Sequence, residues 1–372
     1  MTAVTVEKLS DPARLLADWR ALYERAGNAS IFLSPAWMEA WLGGAPPQAV
    51  LYAVRGESAL LGVVGLSPRR RPWLIGSHTA HLHEYGDDVR DSVYIEYNDF
   101  LLARGAPSEC RQKALLAVID AVGPVDELIL RNARADLADA ARAAAAMKGY
   151  RIRVLTRQPT FAIDLAALRE AGGAYLETRS PSLRAQVRRA ERLYEQRGTV
   201  ALRRAETPQE RARAWETLIA LHEESWRRRG LKGVFDNEAF KAFHERLARA
   251  APERIDILQL FSGEEVVACL YNLVDGDHVH NYQSGFKFED NNQLKPGMAA
   301  HAQAAQYYCD NGYSVYDLLA GEAPYKRRLA DEGEVLSSLA IDLAAGPRAQ
   351  ILAGLRRLRG SVTPRRETRR SG

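Results

Sequence analysis

Apolar positions recur along this chain with two periods, and each marks a kind of element. Ser10-Asp11-Pro12 opens a predicted helix through Glu24, in which Leu15, Leu16, Trp19, Leu22 and Tyr23 return at amphipathic spacing. Ser34-Pro35 opens another, carrying Trp37, Met38 and Trp41 and ended by Gly43-Gly44; aromatics at this spacing are expected in the core. Residues 4–8 read as a strand, and 49–54 with 59–67 as a hairpin around Gly56-Glu57. The stretch 69–91 reads as irregular. A strand-like segment at 98–101, a helix at 109–122, strands at 126–131 and 151–155 and an alanine-rich helix at 133–148 complete an α/β alternation, with the domain seam expected at 159–164.

The second half repeats the alternation with stronger signals. Helices are predicted at 182–196, 209–229 and 238–249, and a strand at 254–261. Strands at 266–274 and 278–286 flank Asp275-Gly276, a dipeptide that supplies the positive φ a tight hairpin needs. After a polar loop, Pro296-Gly297 begins a helix over 298–310, which Asn311-Gly312 stops. Short strands follow at 314–319 and 336–343. A short basic helix at 350–359 and a disordered end close the chain.

The order strand, turn, strand, loop, helix, strand, with the Pro296-Gly297 helix start, Tyr316-Asp317, Gly321-Glu322 and Tyr325-Lys326, resembles the C-terminal core of the GNAT acyltransferase superfamily. More narrowly it resembles the CelD/BcsL-like branch associated with cellulose and exopolysaccharide biosynthesis. Leu221-His222-Glu223-Glu224-Ser225-Trp226, then Arg229-Gly230 and Phe235, is a second match. The resemblance covers roughly residues 180–329. It implies tandem GNAT-like domains, each a central mixed sheet flanked by helices: a degenerate one over 1–160, an acyltransferase domain over 161–345, and a basic tail over 346–372.

Composition adds limits. The 372 residues are 47% hydrophobic and 26% charged, enough for two ordinary cores. No apolar run approaches the roughly 18 residues of a membrane helix, and the start lacks the apolar core of a secretory signal, so the cytoplasm is the expected compartment. The 3 cysteines, Cys110, Cys269 and Cys309, are widely spaced and structural roles are expected. A formal net charge of +4 is mild for this length and does not argue for nucleic acid.

Local clusters are more pointed. His78, His81 and His83 with Glu84, Asp87 and Asp88 combine imidazoles and carboxylates, the donors of a transition-metal site, but match no known ligand spacing. A loop without metal is the expectation. On the helix over 182–196, Arg184, Arg188 and Arg192 form one stripe suited to phosphates or to a solvated face, with Glu191 and Glu195 partly neutralising it. His222 and Trp226 stand one turn apart on a mostly apolar face, where a histidine is either a core residue or a base near the acceptor.

The resemblance also implies a mechanism and a site. In GNAT enzymes two central strands splay apart, coenzyme A enters between them, and its pyrophosphate rests on the N-terminus of the following helix. That places the cradle at residues 291–298, with Gln293, Lys295, Gly297, Met298 and Ala299 as cofactor contacts. The superfamily signature Gln/Arg-x-x-Gly-x-Gly/Ala is altered here, because Gln293 stands one position early. Asp317, Glu322 and His222 are candidate bases; Tyr282 and Lys326 are candidate donors to the oxyanion or leaving group, with an ion pair between Lys326 and Glu322 as the alternative for that lysine. Trp226, Tyr325, Arg184 and Arg188 are candidate substrate contacts. The expected reaction transfers an acetyl or related acyl group from acetyl-coenzyme A or another acyl-coenzyme A to an amine or hydroxyl, on a small-molecule or saccharide acceptor, without metal. A Fem-type transferase using aminoacyl-tRNA, and a non-catalytic scaffold of a polysaccharide synthase, are the alternatives.

Overall fold

The computed structural model describes residues 3–57, 59–68 and 77–344, with positions 351 and 354 beyond them. Apart from those two positions the expected tail and its basic helix lie outside the described residues, as do Arg69, Arg70 and Arg71. The chain forms two compact α/β units, one built from the described residues through Gln158, Ala242–Ala250 and the chain from Glu334, the other from Pro159–Lys241 and Ala251–Gly333.

The first unit contains β1 (Val4–Lys8), α1 (Pro12–Tyr23), α2 (Pro35–Leu42), β2 (Val50–Gly56), β3 (Leu60–Leu66), β4 (Thr79–Leu82), β5 (Leu101–Leu102), α3 (Cys110–Ala121), β6 (Glu127–Ala133) and α4 (Ala135–Lys148). The predicted helix starts hold because Asp11 and Ser34 accept from Arg14 and Trp37 N–H groups, each with proline next in the chain. β4 corrects the irregular reading of 69–91. Its Ala80, His81 and Leu82 are all buried, and at four residues it is short. Leu115, Val118, Leu137 and Ala141 of α3 and α4 pack with Val64, Leu82, Leu128 and Leu130 of the sheet to make this unit's core.

β7 (Arg151–Asp164) runs through the boundary between units, so the expected seam at 159–164 falls inside a strand and not in a linker. The chain continues with α5 (Leu165–Glu170), α6 (Pro181–Glu195), β8 (Val200–Arg204), α7 (Pro208–Arg228), α8 (Glu238–Ala250, belonging to the first unit from Ala242 on), β9 (Ile255–Ser262), β10 (Glu265–Asp275), β11 (His278–Phe286), α9 (Pro296–Asp310), β12 (Val315–Ala320) and α10 (Pro324–Leu329). The last strand, β13 (Asp331–Asp342), pairs antiparallel with β6, so the end of the chain completes the sheet of the first unit.

Strand order in the second unit is β7-β12-β11-β10-β9-β8. The β10–β11 hairpin turns through Gly276 and Asp277, with Asp275 opposite His278 and Gly276 at φ +62. The turn therefore sits one residue later than Asp275-Gly276 predicts. α5, α6 and α9 cover one sheet face through Leu168, Val187, Tyr194, Ala304 and Tyr308. α7 covers the other, started by a reciprocal capping box between Thr207 and Glu210. Among the described residues no helix is long and apolar enough to cross a membrane.

Candidate active site

The site begins where two strands part. β11 and β12 run parallel and pair at only three positions, His278 with Val315, Val279 with Tyr316 and His280 with Asp317. Beyond that, β11 continues to Phe286 bonded to β10, while β12 bends away. The bend is built by Leu319, at φ +64, a costly conformation for a branched side chain. Asp317 holds it: one carboxylate oxygen accepts the Leu319 N–H at 2.7 Å and the other lies 3.0 Å from His280 Nδ1.

α9 starts in the mouth of this opening. Its Ala299 N–H already bonds back to Lys295, so the N–H groups of Gly297 and Met298 precede it without an intrahelical acceptor. Gly297 packs closely, since a Cβ there would stand 3.0 Å from the Phe286 ring. The cleft has a volume of about 830 Å³ and is walled by α6, the end of α7, the loop after β11, the first turns of α9, and α10. Its lining includes Arg189, Arg229, Lys287, Lys295 and Arg328 against one carboxylate, Glu289, which Arg197 holds through two bonds of 2.8 and 3.0 Å. Such a lining favours an anion, and phosphate suits it best because guanidinium groups can meet its oxygens in pairs.

The predicted residues divide into groups. Gln293, Lys295, Gly297, Met298 and Tyr325 all line the cleft, whereas Ala299 is buried in the body of α9. Arg184 and Arg188 do not line it; both turn to Glu177, at 3.8 and 2.5 Å. Their neighbour Arg189, one position further along α6, is exposed there instead, and among the described residues no carboxylate pairs with it or with Lys295.

Asp317, Lys326, His222, Tyr282, Trp226 and Glu322 lie outside the cleft lining. Lys326 is 3% exposed, and its ammonium donates to the Leu319 and Ala320 carbonyls at 3.2 and 2.7 Å. Burial lowers its pKa to about 8, against the pull of Asp317. Glu322 is exposed on the turn before α10 and does not pair with this lysine. His222 is enclosed by Phe235, at a ring distance of 4.8 Å, and by Gly233, and burial holds it down to about 4, so it is neutral. Trp226 lies against it at 5.6 Å. Tyr282 packs on Phe240, also on the α7 face.

His301 escaped the sequence reading. It sits one turn beyond Gly297 on α9, lines the cleft, and is 1% exposed. Nδ1 is 2.9 Å from the Tyr316 hydroxyl, the ring stacks on Tyr325 at 5.7 Å, and Nε2 has no partner among the described residues. Burial, aided by the Lys326 charge, lowers its pKa to about 3, so the ring is neutral. Its i, i+4 spacing from Gly297 is the signal that could have found it.

Residues 181–327 match the model of the family described as the acetyltransferase (GNAT) domain. The second unit thus carries a GNAT acyltransferase-type domain, and the architecture is tandem GNAT-like. Among solved structures the chain is similar to FemX, with 12% identity and a TM-score of 0.58 over 94% of this chain and 99% of that one. It is similar to L-PGS from Bacillus licheniformis, with 14% identity and a TM-score of 0.52 over 94% and 97%. A tandem GNAT protein from the clavulanic acid biosynthesis pathway has 12% identity and a TM-score of 0.51 over 92% and 100%. At these identities the likeness is one of fold. A search of curated proteins returns no match.

Proposed function

We propose that the second unit transfers an acyl group from an acyl-coenzyme A thioester to an amine or hydroxyl. One observation carries this reading: the parallel pairing of β11 and β12 stops after three residues, directly beside the open first turn of α9 and its cationic surroundings. The unpaired edge of β11 offers backbone groups to the amide-bearing arm of the donor, and the Gly297 and Met298 N–H groups with Lys295 and Arg189 meet its phosphates.

In the transfer, the acceptor's nitrogen or oxygen attacks the thioester carbonyl, the new C–N or C–O bond forms as C–S breaks, and the acceptor proton must be removed. His280, held by Asp317 at 3.0 Å, is the base this reading favours; Asp317 itself has both oxygens engaged. Tyr325, half-buried in the cleft wall and kept protonated by burial, supplies a proton to the departing thiolate. Lys326 acts as a positioning residue that fixes the carbonyls of the bend.

The resemblance to the CelD/BcsL-like branch supports an acceptor linked to polysaccharide or envelope synthesis. The likeness to FemX over nearly the whole of both chains supports aminoacyl-tRNA as the alternative donor. Calorimetric titration of acetyl-coenzyme A into the full chain and into Lys295→Ala separates the two. Micromolar binding, weakened several-fold in the variant, is expected. Folded protein that takes up no acyl-coenzyme A but binds charged tRNA would establish the alternative.

A further inference from the structure

The first unit contains a parallel crossover of the same form. β4 and β6 pair at Thr79 with Glu127, Ala80 with Leu128 and His81 with Ile129, three positions ending on a histidine, as β11 and β12 end on His280. Crevices beyond the carboxyl ends of parallel strands are where α/β sheets take ligands. Here the crevice is filled by polar side chains: His81 is 6% exposed, Glu84 2% and Asp91 4%.

These groups are not satisfied by one another. His81 Nε2 is engaged by the Thr79 hydroxyl at 2.7 Å, which leaves Nδ1 facing Glu84 at 3.4 Å without a hydrogen bond. Neither oxygen of the Glu84 carboxylate has a hydrogen-bond partner among the described residues, although Arg131 Nε stands 3.1 Å from one of them. Asp91 accepts the Tyr85 and Asp87 N–H groups at 2.8 Å each, which leaves a lone pair on each oxygen. Two buried carboxylates therefore stand near one guanidinium.

We propose that this crevice binds one divalent transition-metal ion through His81 Nδ1, the Glu84 carboxylate and the Asp91 carboxylate. One ligand atom from each of the three lies within 4.8 Å of the others. Three ligands held about 2.1 Å from one tetrahedral ion lie roughly 3.4 Å apart, so closure asks for side-chain movements of about an ångström. One imidazole with two carboxylates suits zinc or manganese, with water completing the shell. The ion ties the end of β4 to the loop carrying Asp91. Sequence spacing gave no sign of this, because Glu84 and Asp91 converge on His81 only through the turn after β4, where His83 takes φ +56 and faces Asn98 instead.

The test uses the full chain, stripped with a chelator and dialysed against zinc or manganese, with bound metal counted by mass spectrometry. About one equivalent per chain is expected, with a rise of a few degrees in Tm at saturating metal. Glu84→Gln, which keeps the volume of the side chain, is expected to lose that equivalent, and His278→Ala in the exposed β11 turn to keep it. Wild-type protein loaded with cobalt guards against misfolding of the variant, since the d–d absorption of the ion reports nitrogen and oxygen ligation directly. Folded wild-type protein that retains no metal, or retains as much after Glu84→Gln, would overturn the proposal and leave the cluster to buried water.

Discussion

The Lys326 ammonium donates to the Ala320 carbonyl at 2.7 Å and, further off, to that of Leu319, while Glu322, four residues earlier in the chain, stays in solvent. The lysine thereby ties together two successive carbonyls at the irregularity in β12.

Replacing Lys326 by methionine is therefore expected to destabilise the second unit, at about 1–3 kcal/mol for the loss of its hydrogen bonds to the two carbonyls. Its pH signature distinguishes this residue. Between about 8 and the ordinary 10.5, the unfolded chain holds a proton that the folded chain has lost, so Lys326 makes stability rise with pH across that window. Urea midpoints at pH 7.5 and 9.5 should move in favour of wild type relative to Lys326→Met. A difference that stays constant with pH would mean the amine is not held low.

Two adjacent arginines on α6 should behave differently. Arg189 faces the cleft, whereas Arg188 is bound to Glu177. Arg189→Ala is expected to weaken acyl-coenzyme A binding by about 3- to 10-fold, the range of a partly exposed charge-assisted contact, and Arg188→Ala by less than twofold. Calorimetry on both variants checks the assignment; equal losses would return the phosphate contact to the stripe read from sequence.

Gly297→Val probes the cradle without touching charge. Even a Cβ at this position would stand 3.0 Å from the Phe286 ring, so a branched side chain must displace the ring and narrow the mouth between β11 and α9. Donor affinity should fall at least tenfold, measured by the same titration, while Tm drops by only a few degrees. Unchanged affinity would place the donor elsewhere.

Four imidazoles, those of His83, His222, His244 and His301, are held by burial at about 4, 4, 3 and 3. Between those values and the ordinary 6.5 the unfolded chain binds more protons, so each lends stability that is present above 6.5 and is lost as pH falls. The slope is up to about 1.4 kcal/mol per pH unit for each. The urea midpoint should fall between pH 7 and 5, and His301→Phe should flatten that fall. An unchanged slope in the variant would show that burial does not hold His301 low in the folded chain.

Much of this protein was legible in one dimension. Helix starts were readable because caps and prolines act within three or four residues, as at Asp11, Ser34 and Thr207. The hairpin at Gly276 and the α9 start at Pro296-Gly297 were readable for the same reason, and with them one end of the cleft, since Lys295, Gly297 and Met298, which line it, are local to a helix end. The tertiary structure alone decided what depends on strands meeting: the early parting of β11 and β12, the pairing of His280 with Asp317, the burial of Lys326 under the bend, and the convergence of His81, Glu84 and Asp91. It also chose Arg189 over Arg188, because a helix face is assigned by what packs against it. β4 was lost in sequence because it is only four residues long and lies in a stretch rich in histidine and acidic residues. Local chemistry specifies the elements; pairings between residues distant in the chain specify which side chains share a site, and those rest on packing.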